Sequence, residues 1–340
     1  MRDGLVVLTS MRAERPTTNP YIVQLNRLLA ERLELRPFSW RAALTGRYDV
    51  FHIHWPDAFV RRSSAWRTAL ACLALAGLLV RIRVTRRVLV RTAHNVTPHE
   101  RQAPLVRAVL AWCDAWTTQW IRLNDLTPVP AGARAVTILH GSYTDWFAHL
   151  PVPERVGGNL LYFGLVRPYK GVGELVAAFR ATSDPALSLT IAGSPADAAA
   201  AQVVEAEAAG DDRITLDLRH VPDEELVAAV GRATLVVLPY KAMHNSGAAL
   251  LALSLGRPVL VPANDVTRAL RDEVGGDWVL LFEGTLDAAA LERAAVEAAE
   301  LRGLPDLSRR SWPAIADQHV EAFRSAVASR ARRRPRRAAL

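Results

Sequence analysis

Two segments in the second half of the chain carry the residue types that bind phosphate. The first, residues 162–172, reads YFGLVRPYKGV and predicts a strand, a glycine-containing turn and then a helix. Arg167 and Lys170 both lie in that turn. Two fixed cations beside a helix N-terminus favour a diphosphate, because the turn's amides and the helix dipole add to the cationic charge.

The second segment, residues 237–260, leads from a strand through a loop into another helix. Ser246 is the predicted N-cap of that helix, and Gly247 follows it. The open amides there can hold an anion, and the small side chains let a nucleotide phosphate or a sugar approach closely. A plain helix cap that binds no ligand is the alternative.

Two segments in the first half combine histidines with carboxylates. Residues 51–57 read FHIHWPD and residues 91–100 read RTAHNVTPHE, each at the end of a predicted strand. A histidine or aspartate just past a parallel strand lies where ligands bind and can act as a general base for a hydroxyl. We expect His52 to face the interior and His54 and His94 to be available for chemistry. Their spacing is not that of a zinc motif, so no metal site is predicted.

The elements that must position these residues alternate between apolar strands and helical patterns from end to end, which is typical of parallel sheets with crossover helices. Residues 151–158, PVPERVGG, break the pattern as a linker would. We predict an α/β fold with two doubly wound domains, residues 1–150 and 151–329, the second ending in an amphipathic helix at 312–329. A disordered basic tail at 330–340 follows. Predicted strands cover residues 4–8, 50–54, 88–92, 136–139, 160–163, 187–192, 214–218, 235–239, 258–261 and 278–282.

The charge is distributed unevenly along the 340 residues, whose net charge is +8. Residues 1–150 carry 20 basic and 10 acidic side chains, residues 151–329 carry 16 and 24, and the tail carries six arginines. No acidic residue lies between Asp57 and Glu100, while eight arginines surround the apolar run 69–80. That run is shorter than a bilayer-spanning helix, and the pattern suits either the surface of an anionic membrane or a core helix with solvated ends.

Four blocks in this order resemble the GT-B glycosyltransferases, especially family 4-like enzymes that use nucleotide sugars. They are the turn with Arg167 and Lys170, the sequence IAGS at 191–194, VPDEEL at 221–226 and the segment 239–258. The resemblance implies two Rossmann-like domains facing a cleft, with the nucleotide diphosphate sugar in the C-terminal domain and the acceptor in the N-terminal one. It also implies catalysis without a metal or other cofactor, since protein cations replace the metal.

By the family pattern, Arg167, Lys170 and the amides at Ser246 and Gly247 would hold the leaving diphosphate. Gly193 and Pro222 would lie near the base and ribose. Retaining members carry a Glu-x7-Glu pair around the last of these helices, and alignment on Gly256 places Met243 and Leu251 at those positions. The sugar contacts would then come from elsewhere, and the stereochemical outcome stays open. The residues available for these contacts are Lys241, His244 and Asn245.

A narrower resemblance joins the first half to bacterial GDP-mannose:glycolipid 4-beta-mannosyltransferases of exopolysaccharide assembly. It rests on the sequences NPY at 19–21, HWP at 54–56, TAHN at 92–95 and PHE at 98–100. An inverting enzyme needs one base, for which Asp57, His94 and Glu100 are the candidates. His94 matches the family histidine that contacts the donor sugar, which leaves Asp57 as the first choice. The side chains expected on the acceptor side are His54, Trp55 and Asn95.

The expected function is therefore transfer of a sugar, mannose from GDP-mannose, to a lipid-linked or polysaccharide-precursor acceptor. Two alternatives stay open, a nucleotide-sugar epimerase of the same architecture and a non-catalytic binder of nucleotides or polyanions. A specific nucleic-acid partner is not expected, because no basic strip with interleaved aromatics is present. The two cysteines, Cys72 and Cys113, lie in apolar helical runs, so a cytoplasmic protein is expected, peripheral on the inner face of the plasma membrane.

Overall fold

The computed structural model describes residues 3–12, 19–94, 103–241 and 243–332. The chain divides into two compact units. Unit 1 comprises Met1–Gly141 and Arg310–Leu340, and unit 2 comprises Ser142–Arg309.

The described residues form twelve strands and thirteen α-helices. The strands are β1 (Asp3–Thr9), β2 (Leu33–Arg36), β3 (Val50–Ile53), β4 (Val88–Ala93), β5 (Gln119–Arg122), β6 (Ala135–Thr137), β7 (Asn159–Phe163), β8 (Ser188–Ala192), β9 (Ile214–Asp217), β10 (Leu235–Val237), β11 (Val259–Pro262) and β12 (Val279–Phe282). The helices are α1 (Pro20–Arg32), α2 (Trp40–Thr45), α3 (Asp57–Val60), α4 (Ala65–Val84), α5 (Pro104–Trp116), α6 (Thr144–Phe147), α7 (Val172–Arg180), α8 (Ala198–Ala208), α9 (Asp223–Arg232), α10 (Gly247–Ser254), α11 (Asp265–Val274), α12 (Ala288–Glu300) and α13 (Trp312–Arg332).

Each unit contains one parallel six-stranded sheet within the described ranges. The strand order is β2-β1-β3-β4-β5-β6 in unit 1 and β12-β11-β10-β7-β8-β9 in unit 2. All pairings are parallel, so the carboxyl ends of the strands of each sheet meet at one edge. The predicted α/β fold with two doubly wound sheets is confirmed.

The sheet of unit 1 is covered on both faces, and the alternation of side chains along β3 shows how. Val50 packs into a cluster with α1 and α13, while Phe51 points to the opposite face and packs with α4 and α5. His52 is on the same face as Val50, so its ring lies 5.1 Å from that of Phe323 on α13. Burial on both faces is typical of a parallel sheet.

The final helix belongs to unit 1, which corrects the predicted domain boundaries. Trp312 begins α13 and is 2% exposed, and its ring packs so closely on Gly141 that a Cβ there would lie 2.3 Å from it. The same ring is 5.5 Å from that of Tyr21. The helix follows unit 2 in the chain, but its apolar face completes the core beneath α1. Sequence order therefore assigned it to the wrong domain.

The predicted basic tail also begins later than expected. Helix α13 continues through Arg332, so Arg330 is helical rather than disordered. Residues 333–340 lie outside the described part of the chain.

Two short strands, β2 and β5, were not predicted from the sequence. In β2 the sequence LELR alternates apolar and charged residues over only four positions, and β5 is also four residues long. Charged or polar side chains make up half of each of these two strands, so neither forms the apolar run by which the other short strands were predicted. The remaining predicted strands correspond to observed ones with shifts of one or two residues at their ends.

Helix α4 is longer than its apolar run and is apolar on two sides. It spans 20 residues, and by length and composition alone it could cross a membrane. About a third, 33%, of its most apolar 18-residue stretch is buried in the protein. Its inner side packs Cys72, Leu75 and Leu79 against the sheet. Its other side exposes a stripe of large apolar residues at successive helical turns, here called the outward stripe of α4: Trp66, Leu70, Leu73, Val80 and Val84.

Candidate functional site

The turn with the two predicted cations is held in place by glycine. After β7 the chain forms a short 3-10 turn over Pro168–Lys170, and Gly171, with φ of 68°, is the N-cap that precedes α7. A Cβ on Gly171 would lie 2.2 Å from the carbonyl oxygen of Pro239, so both the dihedral angle and the space require glycine. The close approach brings the turn against the loop that follows β10.

Lys170 and the start of α10 converge on a tyrosine in that loop. The Nζ of Lys170 donates a hydrogen bond of 3.1 Å to Oη of Tyr240, and the same hydroxyl interacts with the side chain of Ser246. Ser246 is the N-cap of α10, since its Oγ accepts a hydrogen bond of 3.2 Å from the amide of Ala249. Gly247 is the first residue of the helix, where a Cβ would come within 3.1 Å of Oη of Tyr143. The structure thus brings together Lys170, Ser246 and Gly247, as the sequence predicts.

The charge at this site is not compensated by the described protein groups around it. Burial and, to a smaller extent, the positive charge of Arg167 together lower the pKa of Lys170 to about 8. The Nε of Arg167 is buried and has no hydrogen-bond partner among the described residues. Two cations next to a helix N-terminus that destabilise one another are stabilised by an anion. The geometry therefore fits a diphosphate.

Gly193 and Pro222 lie at the same edge of the unit 2 sheet. Gly193 follows β8 with φ of 149°, and a Cβ there would lie 2.0 Å from the carbonyl oxygen of Gly164. Pro222 precedes the first residue of α9. Their place past the carboxyl ends of β8 and β9 is where a nucleotide binds in open α/β sheets.

The three residues expected to replace the missing carboxylates differ in their availability. The Nζ of Lys241 lies 2.6 Å from Oε1 of Glu174, so this ammonium group is neutralised by α7. His244 and Asn245 are half-buried in the loop before α10, and burial lowers the pKa of His244. The loop therefore offers neutral polar groups for hydroxyl contacts, with Lys241 engaged elsewhere.

Met243 and Leu251 occupy core positions. Met243 is 5% exposed, and its carbonyl oxygen accepts a hydrogen bond of 3.0 Å from Nδ2 of Asn264. Leu251 lies on α10 and packs against the core of unit 2. Apolar side chains at these two positions leave no carboxylate of the Glu-x7-Glu type at the start of α10.

In unit 1, a group of histidines gathers at the carboxyl edge of the sheet. The ring centroids of His52 and His54 are 4.3 Å apart, and those of His54 and His94 are 5.2 Å apart. The ring centroid of Tyr21 lies 5.4 Å from that of His94 and 4.5 Å from that of His140. The described members of this histidine cluster are His52, His54, His94, His140 and His319.

His94 is held on two sides. Its Nε2 lies 2.9 Å from Nδ1 of His54, a distance at which one neutral ring donates and the other accepts. Trp55 stacks on it with a centroid distance of 4.2 Å and an angle of 25°. His54 is 2% exposed, so little of its side chain is accessible to a ligand in this structure. Its place on the acceptor side stays a prediction.

Burial keeps this cluster uncharged at neutral pH. It lowers the pKa of His94 to about 3, with His140 and Arg91 adding smaller effects of the same sign. It also lowers the pKa of His140 and of His319 to about 4, and those of His52 and His54 fall well below 6.5. Imidazoles this hard to protonate are weak bases, so they suit hydrogen bonding to hydroxyl groups better than proton abstraction.

Asp57 is the predicted catalytic carboxylate that the described residues include. It is the first residue of α3, three positions after His54, and its Oδ2 lies 3.4 Å from Nη2 of Arg61. Its side chain is 35% exposed, so its carboxylate is partly accessible to a ligand. Two further predicted residues, Asn95 and Glu100, lie outside the described residues.

The sequence reasoning missed two residues that organise these sites. Tyr240 joins Lys170 to Ser246, and the only signal for it was its place in the loop after β10. His319 lies on α13, far from the other histidines in sequence, and its Nδ1 donates to the carbonyl oxygen of Ile315 in the preceding turn. No local motif marks a residue that reaches a site from a remote helix.

Metal ligands do not cluster in the described ranges. No group of three or more His, Cys, Asp and Glu residues there is arranged to hold a metal ion.

Comparisons with known proteins agree with this picture. The sequence profile of the family described as glycosyl transferases group 1 matches residues 157–300, which include the turn with Arg167 and Lys170 and the start of α10. A curated protein of Xanthomonas campestris pv. campestris, GDP-mannose:glycolipid 4-beta-D-mannosyltransferase, is 45% identical over 327 residues. The match covers 95% of this chain and 93% of that protein.

Solved structures share the fold at low sequence identity. Sucrose-phosphate synthase from Thermosynechococcus elongatus superposes with a TM-score of 0.64 and 17% identity, covering 96% of this chain and 100% of that one. The catalytic domain of starch synthase IV from Arabidopsis thaliana, bound to ADP and acarbose, superposes with a TM-score of 0.63 and 11% identity. That match covers 96% of this chain and 100% of the other.

Proposed function

The chain belongs to the group 1 glycosyl transferases and has a GT-B fold, and from this premise we propose that it transfers mannose from GDP-mannose to a glycolipid. The observation that carries the proposal is 45% identity over almost the whole chain with a relative named for that reaction. The cationic site at α10 supports it independently, because a nucleotide-sugar donor has a diphosphate as its leaving group.

Unit 2 is proposed to bind the donor. As the bond between the mannose C1 and the diphosphate oxygen breaks, negative charge accumulates on the leaving phosphate. Arg167, Lys170 and the amides at the start of α10 would stabilise that charge in place of a metal ion. Metal-independent turnover is therefore part of the proposal, and turnover that persists in excess EDTA is the expected result.

Unit 1 is proposed to activate the acceptor hydroxyl. A 4-beta linkage made from the α-linked mannose of GDP-mannose requires inversion, so one base must take the proton of the attacking hydroxyl. Asp57 is proposed as this base because its carboxylate is 35% exposed, whereas His94 is bound to the ring of His54 and burial lowers its pKa to about 3. His94, oriented by His54 and Trp55, would instead hold a sugar hydroxyl by hydrogen bonding.

The reaction is tested with the full chain, GDP-mannose and a lipid-linked oligosaccharide acceptor, with UDP-glucose and ADP-glucose as control donors. Mannose should appear in the lipid fraction only with GDP-mannose and only when the acceptor is present. Conversion of GDP-mannose to another nucleotide sugar without acceptor would indicate the epimerase instead. Binding of GDP without any turnover would leave only a nucleotide binder.

The affinity for GDP should fall as the pH rises through 8. Lys170 has a pKa of about 8 in the free protein, so its positive charge is present below this pH and lost above it. If binding requires the charged form, the dissociation constant should increase about tenfold between pH 7 and pH 9. Titration calorimetry across this range measures the change.

The matched variant for this pH dependence is Lys170→Arg, which stays charged throughout. It should bind GDP with nearly constant affinity over the same pH range. Parallel pH profiles of the two proteins would show that Lys170 does not contact the phosphates.

For the cellular location we propose a cytoplasmic protein, peripheral on the inner face of the plasma membrane. The outward stripe of α4 is exposed, with Trp66 at 62% and Leu73 at 65%. The guanidinium of Arg67 lies over the ring of Trp66 at 5.3 Å, and no acidic side chain occurs along the helix. An apolar face bordered by arginines matches the surface of an anionic bilayer, where a glycolipid acceptor resides.

Changing Trp66→Glu together with Leu73→Glu should reduce binding to phosphatidylglycerol vesicles at least tenfold. Both side chains project from the protein, so the fold should tolerate the change. The control pair is Val203→Glu with Val296→Glu, which are 57% and 63% exposed on helices of unit 2. Sedimentation with vesicles is the measurement, and equal loss in both pairs would contradict docking through α4.

A further inference from the structure

A large cavity opens at the amino edge of the unit 1 sheet, the edge opposite to the histidine cluster. Its volume is about 730 Å³, and its walls come from the residues that precede β4, β5 and β6 and from the ends of α4 and α13. Four arginines line it: Arg83, Arg86, Arg134 and Arg330. None of them belongs to the donor or acceptor sites described above.

The acidic group of this wall is already neutralised. Of the described residues that line the cavity, one is acidic, Asp114. Asp114 forms an ion pair with Arg91. Arg91 in turn stacks over the ring of Trp120 at 4.6 Å. The lining of the cavity therefore contains four arginines and one acidic residue, and that acidic residue is paired with Arg91.

Arg86 occupies a backbone position that ordinarily belongs to glycine. Arg86 has a positive φ of 57° and is the one residue other than glycine with a positive φ in the described part of the chain. It terminates α4 in a Schellman motif, since the amide of Arg87 bonds to the carbonyl oxygen of Ile82 and the amide of Arg86 to that of Arg83. The left-handed conformation is costly for any residue with a Cβ, so glycine would stabilise this turn. A strained arginine that lines a cavity points to a use for its side chain.

A second arginine is fixed in direction by its neighbours. Nη2 of Arg134 donates to Oγ of Ser325 at 3.0 Å, and its Nε donates to Oε1 of Gln119 at 3.4 Å. A further lining arginine is also hydrogen-bonded, since Nη2 of Arg330 donates to the carbonyl oxygen of Arg83 at 3.4 Å. Guanidinium groups held in this way lose little freedom when they bind an anion.

The rim of the cavity is apolar as well as basic. Trp116 lines it and stacks on Trp112, with ring centroids 5.8 Å apart and Trp112 50% exposed. Val80 and Val84, in the last turn of the outward stripe of α4, lie on either side of Arg83 along the helix. Arginines beside exposed tryptophan and valine suit a phosphate group that carries an apolar substituent.

We propose that this cavity is a second anion site, which binds phosphate groups through Arg83, Arg86, Arg134 and Arg330. The ligand class is a phosphate ester or diphosphate, from a phospholipid headgroup or from solution. The site is separate from the donor diphosphate site and does not depend on the proposed mannosyl transfer.

The first test is calorimetric titration of inorganic pyrophosphate into the full chain in which Arg167→Ala and Lys170→Ala disable the proposed donor diphosphate site. This parent protein should bind pyrophosphate, and adding Arg86→Gly should weaken the binding about tenfold. Because glycine relieves the left-handed strain, the same variant should melt about 2–4 °C higher. The charge-matched control, Arg41→Ala on the exposed side of α2, should bind like the parent protein.

The second arm separates the two sources of phosphate. Vesicles of phosphatidylglycerol and of phosphatidylcholine are compared for binding of wild type, Arg86→Gly and Arg86→Lys. Selective loss of phosphatidylglycerol binding in Arg86→Gly, with recovery in Arg86→Lys, would assign a lipid headgroup. Loss of pyrophosphate binding alone would assign a soluble ligand. Unchanged binding in both arms, in a variant that still folds, would overturn the proposal, whatever the outcome of the transferase assay.

Discussion

The double variant Arg167→Ala, Lys170→Ala should lose its stabilisation by GDP and at least 10³-fold in kcat/KM. GDP at about 100 times its dissociation constant should stabilise the wild type by roughly 2.7 kcal/mol, which thermal denaturation detects readily. The variant has removed both side-chain cations from the leaving diphosphate and retains only the amides of α10. Each lost group that stabilises developing charge costs roughly 10²–10³ in rate.

The control for this double variant removes the same charge elsewhere in unit 2. Arg180→Ala with Arg293→Ala changes two exposed side chains on α7 and α12, and it should keep both the GDP response and the turnover. A GDP response that survives in the first pair, or disappears equally in both, would require the diphosphate to bind elsewhere. UDP and ADP measured alongside GDP would identify the nucleobase that the site accepts.

Asp57→Asn should lower kcat by roughly 10²–10⁴ and leave the affinity for GDP unchanged. Asparagine has nearly the same shape but cannot take a proton, so the loss falls on the chemical step. The surface ion pair with Arg61 contributes about 1 kcal/mol or less to stability, so the variant should fold normally. Single-turnover measurements with saturating donor and acceptor isolate the affected step.

Asp125→Asn is the matched control for Asp57→Asn. Its carboxylate lies 3.3 Å from Nη2 of Arg122, an exposed pair of the same kind as Asp57 with Arg61. It should retain full activity. If Asp57→Asn also keeps its activity while His94→Gln loses it, His94 would be the base despite its low pKa, and the roles proposed for these two residues would be exchanged.

For the histidine cluster, the sequence predicted which segments carry the histidines but not how deeply each side chain is buried. The segments with His54 and His94 were found from the sequence because each follows a strand, and their proximity is a direct result of β3 pairing with β4. Burial was harder to foresee. His54 is buried because α13 and α1 cover that face of the sheet, and its ring contacts His94, while its role on the acceptor side stays a prediction.

The residues of the proposed donor site were predicted more completely, because they lie next to local signals in the sequence. Glycine, proline and a capping serine mark the turn and the start of α10 directly in the sequence. Tyr240 was missed because a tyrosine carries no such mark. Its hydroxyl joins Lys170 to Ser246 only when the approach of Gly171 to Pro239 has brought two loops together.

The sequence by itself determined the α/β class, ten of the strands, the cationic turn and the segments that carry the histidines. These features are set by local periodicity and by residues with fixed backbone preferences, which act over a few positions. Only the tertiary structure decided that α13 belongs to unit 1, that His319 and Tyr21 join the histidine cluster, and that four arginines surround one cavity. Such groupings depend on which elements pack together, and packing is chosen by the shape of whole apolar faces rather than by any short stretch of chain.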